Sequence, residues 1–387
     1  MVDAVIRPGA IGHSHGGGAI PIQTRSERLR STIASEHSAV NRSDEQWRYL
    51  DSERLRGLDT EVLSNFSEAI SINAPAGYSS SLVTAEDSSF GKAGLPEDRP
   101  SANAWAAATK ALKLSLNGEV TEPATISVSN PGQHKGAHII IESGTHSIGT
   151  VVIDHTGSGS LAEIVEVIVG DESNLTVVSI QDWSDDAVHT SAQFARLGRN
   201  SKLKHIVITL GGKTVRVTPN AEFTATGGDA ELLGMYFADA GQHLEHRSYV
   251  DHAVANCKSR VTYKGALQGD NAHTVWVGDV LIRKAAEGTD TYELNRNLLL
   301  TDGARADSVP NLEIETGEIE GAGHASASGR FDDEQLFYLQ ARGIEEVDAR
   351  RLVVRGFLNE IIQQIGIESL EERLNSAIEA ELTRGIN

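Results

Sequence analysis

The chain has 387 residues, 54 of them acidic and 34 basic, for a formal charge of −20. Such a surface repels phosphate backbones, which argues against nucleic-acid binding. The single cysteine, Cys257, excludes a disulfide framework, a four-cysteine zinc site and a metal cluster held by this chain's thiolates alone.

Residues 1–24 are rich in Gly and His and read as a flexible leader, with a metal-binding tail through His13 and His15 as the lesser alternative. They lack the continuous apolar core of a secretory signal. No run in the chain reaches the roughly 18 apolar residues of a membrane span. No membrane association is therefore expected, and the cytoplasm is the default location.

Residues 25–118 read as an N-terminal helical region with an irregular connection. Stretches 26–34 and 44–55 mix charge with spaced apolar residues. Ser43 is placed to cap the second, with Gln46 at the capping-box position. Trp47, Leu50 and Leu55 would form part of its buried stripe. Pro, Gly and Ser over 73–102 mark the connection, and 104–114 reads as a further helix.

The pattern changes over 119–329. Short β-branched runs such as HIIIE, TVVID, IVEVIV and LKHIVITL alternate with Gly, Asp, Asn and Ser. No helix separates them, which argues against a βαβ sheet. Leu175, Leu203, Leu232 and Val261 each follow a turn, at intervals of 28, 29 and 29. A steady period of this length marks a solenoid, and strands inside each repeat make it a β-helix. The four residues are expected to point inward in one continuous stack. A β-sandwich with regular hairpins is the alternative.

Residues 330–387 read as a C-terminal helical domain. Asp332 can cap a first helix, with Gln335 at the capping-box position and an end near Gly343. A second covers 345–365, stopped by Gly366. Ser369 and Glu372 open a third, carrying Leu370, Leu374, Ile378 and Leu382. Three short helices make a small core, so surplus apolar surface would suit a partner.

No nucleotide-binding loop is present: the nearest match, Gly211-Gly212-Lys213-Thr214, has Val207 where a P-loop needs Gly. Of 14 histidines, 11 lie between His134 and His324. A β-helix brings sequence-distant residues into register, so a metal site can draw histidines from several rungs. Cys257 fits an inert buried residue better than a ligand.

The segment 295–357 carries Asn295-x-Asn297-Leu-Leu-Leu300, Pro310-Asn-Leu-Glu-Ile314, Gly323-His324-Ala325, Asp333-Glu-Gln335, Phe337-Tyr338-Leu339, Ala341-Arg-Gly-Ile344 and Gly356-Phe357. It resembles the SufB/SufD family of iron–sulfur cluster assembly proteins. Glu45-Gln-Trp-Arg-Tyr49, Asp251-His252 and Gly278 agree with the resemblance, which covers most of the chain beyond about residue 40. The chain is closer to the SufD branch, because it is short and lacks the several cysteines of SufB. It departs from the family where a Cys-Ser or similar pair often precedes the histidine; here Ala322-Gly323 stands.

The resemblance implies a mainly β protein: a right-handed parallel β-helix core flanked by N-terminal and C-terminal α-helical regions. It implies a non-catalytic scaffold that pairs with a SufB-like subunit through the β-helix. It also implies that the C-terminal helices dock a SufC-like ABC ATPase, with Phe337, Tyr338, Arg342, Gly343 and Phe357 as candidate contacts. His324 becomes the candidate ligand for iron or a nascent cluster at the SufB interface. No cofactor is expected on this chain alone; the sequence leaves open whether iron, sulfide or a flavin of the complex touches it. A β-helix polysaccharide lyase or esterase, and an oligomerisation module without a metal role, are the competing readings.

Overall fold

In a computed structural model, which describes residues 28–330 and 333–384, the chain is a parallel β-solenoid with helices mainly at its C-terminus. The leader histidines His13 and His15 and the Asp332 cap lie outside the described residues.

Sixteen strands build the coil in eight two-strand turns. Even-numbered strands form one sheet: β4 (Ala111–Leu116), β6 (Gly132–Ser143), β8 (Gly159–Val169), β10 (Val188–Leu197), β12 (Thr214–Phe223), β14 (His243–His252), β16 (His273–Ile282) and β18 (Arg305–Ile314). Odd-numbered strands form the facing sheet: β5 (Ala124–Ser129), β7 (Ile148–Gly157), β9 (Asn174–Trp183), β11 (Lys202–Thr209), β13 (Asp229–Ala238), β15 (Lys258–Leu267), β17 (Asp290–Leu299) and β19 (Gly321–Arg330). From β6 onward each strand pairs in parallel with the strand two before it. The tight corners use left-handed residues, among them Asn200, Asn256 and Asn271, whose short polar side chains tolerate that conformation.

Leu175, Leu203, Leu232 and Val261 are all buried in the same sheet and in the interior core. They do not form one stack. Leu203 pairs with Leu175 on one side and Ala230 on the other, while Leu232 pairs with His205 and Val261. One turn is two residues shorter than the constant spacing implied. Because the slip is even, both columns still face inward.

The interior is packed by reciprocal fitting. Tyr236 pairs with Gly265, and Tyr263 pairs with Gly234. A Cβ on Gly234 would lie 2.0 Å from the Tyr263 ring, and one on Gly265 2.0 Å from the Tyr236 ring. Neither glycine can be replaced without displacing an aromatic ring.

The N-terminal segment departs from the helical reading. Residues 28–34 and 44–55, the described part of the two stretches, are not α-helices and have only short 3-10 turns at Ala34–Glu36, Glu45–Trp47 and Ser52–Leu55. Asp44, not Ser43, caps the second, accepting a bond from the Gln46 amide. The helix expected over 104–114 is α1 (Arg99–Ala107), followed directly by β4. Trp47, Leu50 and Leu55 are nevertheless buried. They cover the outer face of the even sheet with Ala104, Ile164 and Phe194.

Two short strands finish one end of the coil. β2 (Ser71–Asn73) pairs antiparallel with β5, and β3 (Tyr78–Val83) antiparallel with β4. A two-residue strand, β1 (Ser64–Asn65), pairs with β6. At the other end, β18 and β19 have a strand partner on one side only, among the described residues.

The C-terminal helices are α2 (Asp333–Gln340), α3 (Glu346–Ile362) and α4 (Glu368–Arg384). They do not make a core of their own. Val354, Leu358, Ile361, Ile362, Leu374 and Ile378 pack with Val178, Ile180, Ile206, Ile208, Met235 and Phe237 on the outer face of the odd sheet. Arg373 adds a two-bond pair with Asp154, at 2.6 and 2.7 Å. Deleting residues 330–387 should therefore leave that face bare. The truncated chain is expected to aggregate or bind apolar dyes, as followed by light scattering and dye fluorescence. A monodisperse truncated chain with the full-length melting temperature would contradict this packing.

Candidate functional site at the open end of the solenoid

Successive side chains along a strand alternate inward and outward. On β19, Ala322 packs against the interior core, so His324, two residues on, also faces the interior. It is the last member of the column that contains Leu232, Val261 and Glu293. No further turn covers it among the described residues, and His324 is exposed.

Burial falls steeply toward this end. β16 is buried at nine of its ten positions, whereas no residue of β18 or β19 is buried. Ile314 is 45% exposed, and Leu312 is half-buried. The open end thus presents unpaired strand edges and uncovered interior side chains together. Ser326 donates a hydrogen bond to Ser308 at 2.8 Å, tying the two terminal strands together across the opening.

One rung below His324 lies Glu293, which the sequence reading passed over. Its side chain is buried and neither carboxyl oxygen has a hydrogen-bond partner. Loss of solvent, with a smaller contribution from the Asp279 charge, pushes its carboxyl up to about 8. That shift favours the neutral carboxyl at pH 7, one rung below the exposed imidazole. A lone Glu within a strand gives no local cue of this; the cue is its inward position in a register that only the pairing reveals.

The candidate partner contacts fall into two groups. Phe337 and Tyr338 on α2 are 72% and 54% exposed, and the Arg342 guanidinium sits 4.2 Å from the Tyr338 ring centre. Gly343, with φ of +84°, turns the chain after α2. Phe357 is separate: it is half-buried against the sheet, with the Lys264 ammonium 4.8 Å from its ring centre. Val347 and Leu352 on α3 extend the exposed apolar surface.

Other sequence candidates are accounted for structurally. Gly211-Gly212-Lys213-Thr214 is a corner leading into β12, with Lys213 and Thr214 donating to the Ala187 carbonyl. Cys257 is buried, and burial raises its thiol. His246 stacks on Tyr236 and is depressed to about 3 by burial; His252, beside Ser259, is likewise depressed to about 3. A cavity of about 330 Å³ beneath the N-terminal segment contains three arginines. Acidic partners hold each: Glu97 and Asp279 for Arg28, Asp98 and Glu245 for Arg216, Glu245 for Arg247. No described helix is long and apolar enough to cross a membrane.

Comparison with known proteins adds to this geometry. The family described as "SUF system FeS cluster assembly, SufBD core domain" matches residues 125–357. An iron–sulfur cluster assembly SufBD family protein of Mycobacterium bovis is 53% identical over 350 residues, covering 88% of each chain. One from Mycobacterium leprae is 53% identical over 351 residues, covering 88% of this chain and 90% of the relative. A second Mycobacterium leprae protein of that description is 28% identical over 260 residues, covering 66% of this chain and 30% of the relative.

The Glu293 geometry makes a measurable demand. Unfolding lets the carboxyl ionise at its ordinary value of 4.5, while in the fold it holds its proton to about 8. Its contribution to stability is full below pH 4.5 and falls as pH rises to 8. Glu293→Gln should therefore gain stability relative to the parent as pH rises, by a few kcal/mol at the upper end. Denaturant titration at acidic and mildly alkaline pH measures this. A difference that does not change with pH would mean that Glu293 is ionised in the fold.

Proposed function

The chain belongs to the SufBD family of iron–sulfur cluster assembly proteins, and we propose that it serves there as a non-catalytic, SufD-like scaffold subunit. Its open solenoid end joins a cysteine-bearing SufB-like subunit. Its α2 and α3 surface docks a SufC-like ATPase of the ABC type, which hydrolyses the ATP. Iron and the nascent cluster are cargo at the junction, not resident cofactors of this chain.

The observation that carries this reading is the position of His324. It is the final inward-facing residue of a buried column, exposed at an end where both sheets stop among the described residues. A second solenoid placed there would pair the free edges, cover Ile314 and Leu312, and enclose the imidazole. Neutral imidazole is a competent iron ligand and can complete a set of thiolates. With one buried cysteine in this chain, the thiolates come from the partner. Family membership leaves the carbohydrate-enzyme alternative without support.

The docking surface is supported by exposure without a structural purpose. Leu336 secures α2, while Phe337 and Tyr338 face outward beside Arg342. Aromatic and Arg side chains of this kind are common energetic anchors at interfaces. Phe357 supports the helix packing and is not assigned to the partner surface.

Two experiments on the co-expressed complex test the proposal. His324→Ala should leave the complex assembled, since one such truncation rarely costs more than about 3 kcal/mol. Cluster formation, followed by visible absorbance on adding ferrous iron and a sulfur source, should fall several-fold. An assembled mutant complex that matures clusters at the parent rate would remove His324 from the cargo site. Separately, Phe337→Ala with Tyr338→Ala should weaken ATPase binding at least about 30-fold, or about 2 kcal/mol, without altering the melting temperature. Undiminished binding would place the docking surface elsewhere.

A further inference from the structure

Deep inside the coil, three side chains converge from the two facing sheets. His155 comes from β7, Glu163 from β8 and His189 from β10. All three are fully enclosed, with no exposed surface. Each shares its inward face with core residues of its own strand: Ile153, Leu161 and Ala195 respectively.

The ring orientations are fixed from behind. The Nδ1–H of His155 donates to the Ile180 carbonyl at 2.8 Å. The Gln181 amide donates through Nε2 to Ser179, which leaves its oxygen to accept from His189 Nδ1 at 2.7 Å. The Trp183 indole N–H lies between the two, 3.3 Å from that oxygen and 3.1 Å from His189 Nδ1. Both imidazoles thus direct Nε2 at the Glu163 carboxylate, which accepts a further bond from Ser191 at 2.8 Å. Orientation of Nε2 by a carbonyl on Nδ1, with a carboxylate ligand held by a hydroxyl, is the arrangement found behind metal ligands.

The spacing fits an ion. His155 Nε2 lies 3.1 and 3.2 Å from the two Glu163 oxygens, and His189 Nε2 lies 3.5 Å from the nearer one. Ligand atoms from the three residues all lie within 4.8 Å of one another. Tetrahedral bonds of 2.0–2.1 Å give ligand–ligand edges of about 3.3 Å. His189 Nε2 is fully buried, and its nearest acceptor, the Glu163 oxygen at 3.5 Å, is too distant to satisfy it fully. An under-satisfied buried nitrogen is costly, and coordination would satisfy it.

We propose that His155, Glu163 and His189 form an interior site for one borderline divalent transition-metal ion, of the zinc or ferrous class, that ties the two sheets together. The donor set of two imidazoles and one carboxylate suits such ions and not calcium or magnesium. The neighbouring corner between Trp183 and Val188 is exposed and carries Asp185 and Asp186, an acidic surface for an arriving cation. Loading during folding is an equal route. The site is distinct from the open end and does not depend on the role of His324.

The test uses the full chain with His13→Ala and His15→Ala, which removes the leader imidazoles from the measurement. The protein is produced in zinc-supplemented cells, washed with chelator and assayed for metal; a second portion is refolded with cobalt(II) and read by visible absorption. One equivalent of zinc, and a cobalt spectrum of tetrahedral intensity that zinc displaces, are expected. Glu163→Gln should lower affinity at least 100-fold, while His146→Ala, at an exposed histidine, should leave it unchanged. Metal-free protein from both preparations, or binding that survives Glu163→Gln, would overturn the site and leave a plain buried hydrogen-bond network. If Glu163→Gln fails to fold, X-ray absorption of the zinc-loaded parent decides. Two imidazole nitrogens in the first shell support the site, and their absence refutes it.

Discussion

Parallel hydrogen bonding between strands two apart in the chain places each inward side chain over its equivalent one turn earlier. That ladder leaves little freedom. A side chain in the interior must fit the column above and below it, as Tyr236 fits Gly265 and Tyr263 fits Gly234. It also gives the coil two unlike ends. The antiparallel pairing of β2 and β3 finishes the first end, while β18 and β19 leave the second with free edges among the described residues. The functional reading grows from that asymmetry.

The outer faces are treated differently from the ends. Irregular chain with α1 covers the even sheet, and α3 with α4 covers the odd one. Burial on both faces explains why a strand such as Gly159–Val169 is enclosed at every position instead of alternating between buried and exposed residues. It also explains why α3 and α4 carry an apolar stripe without forming a separate unit. Their buried stripe belongs to the solenoid, and only the α2 aromatics and parts of α3 remain outside.

The strands were legible because β-branched runs between turn residues have few other meanings, and the period near 28 announced a coil. The register was less legible. Leu203 and Leu232 follow similar turns, yet Leu203 pairs with Ala230, because turns of unequal length hide a two-residue slip from spacing alone. In the N-terminal segment, Trp47, Leu50 and Leu55 are spaced like a helical stripe. Packing on the even sheet holds them in short 3-10 turns instead. At the open end, His324 could be found from its flanking motif. Glu293 could not, since its neutrality follows from burial beneath another strand's residue. His155, Glu163 and His189 come from three strands in two sheets, so no local pattern joins them.

The central claim is that the open end of the solenoid is a joining surface. Amide hydrogen exchange, on the full chain with and without a SufB-like partner, tests it most directly. Partner addition should slow exchange along Arg305–Ile314 and Gly321–Arg330, whose edges are otherwise free, and leave the inner turns unchanged. Formation of a stable complex with those two strands exchanging as fast as before would contradict the account.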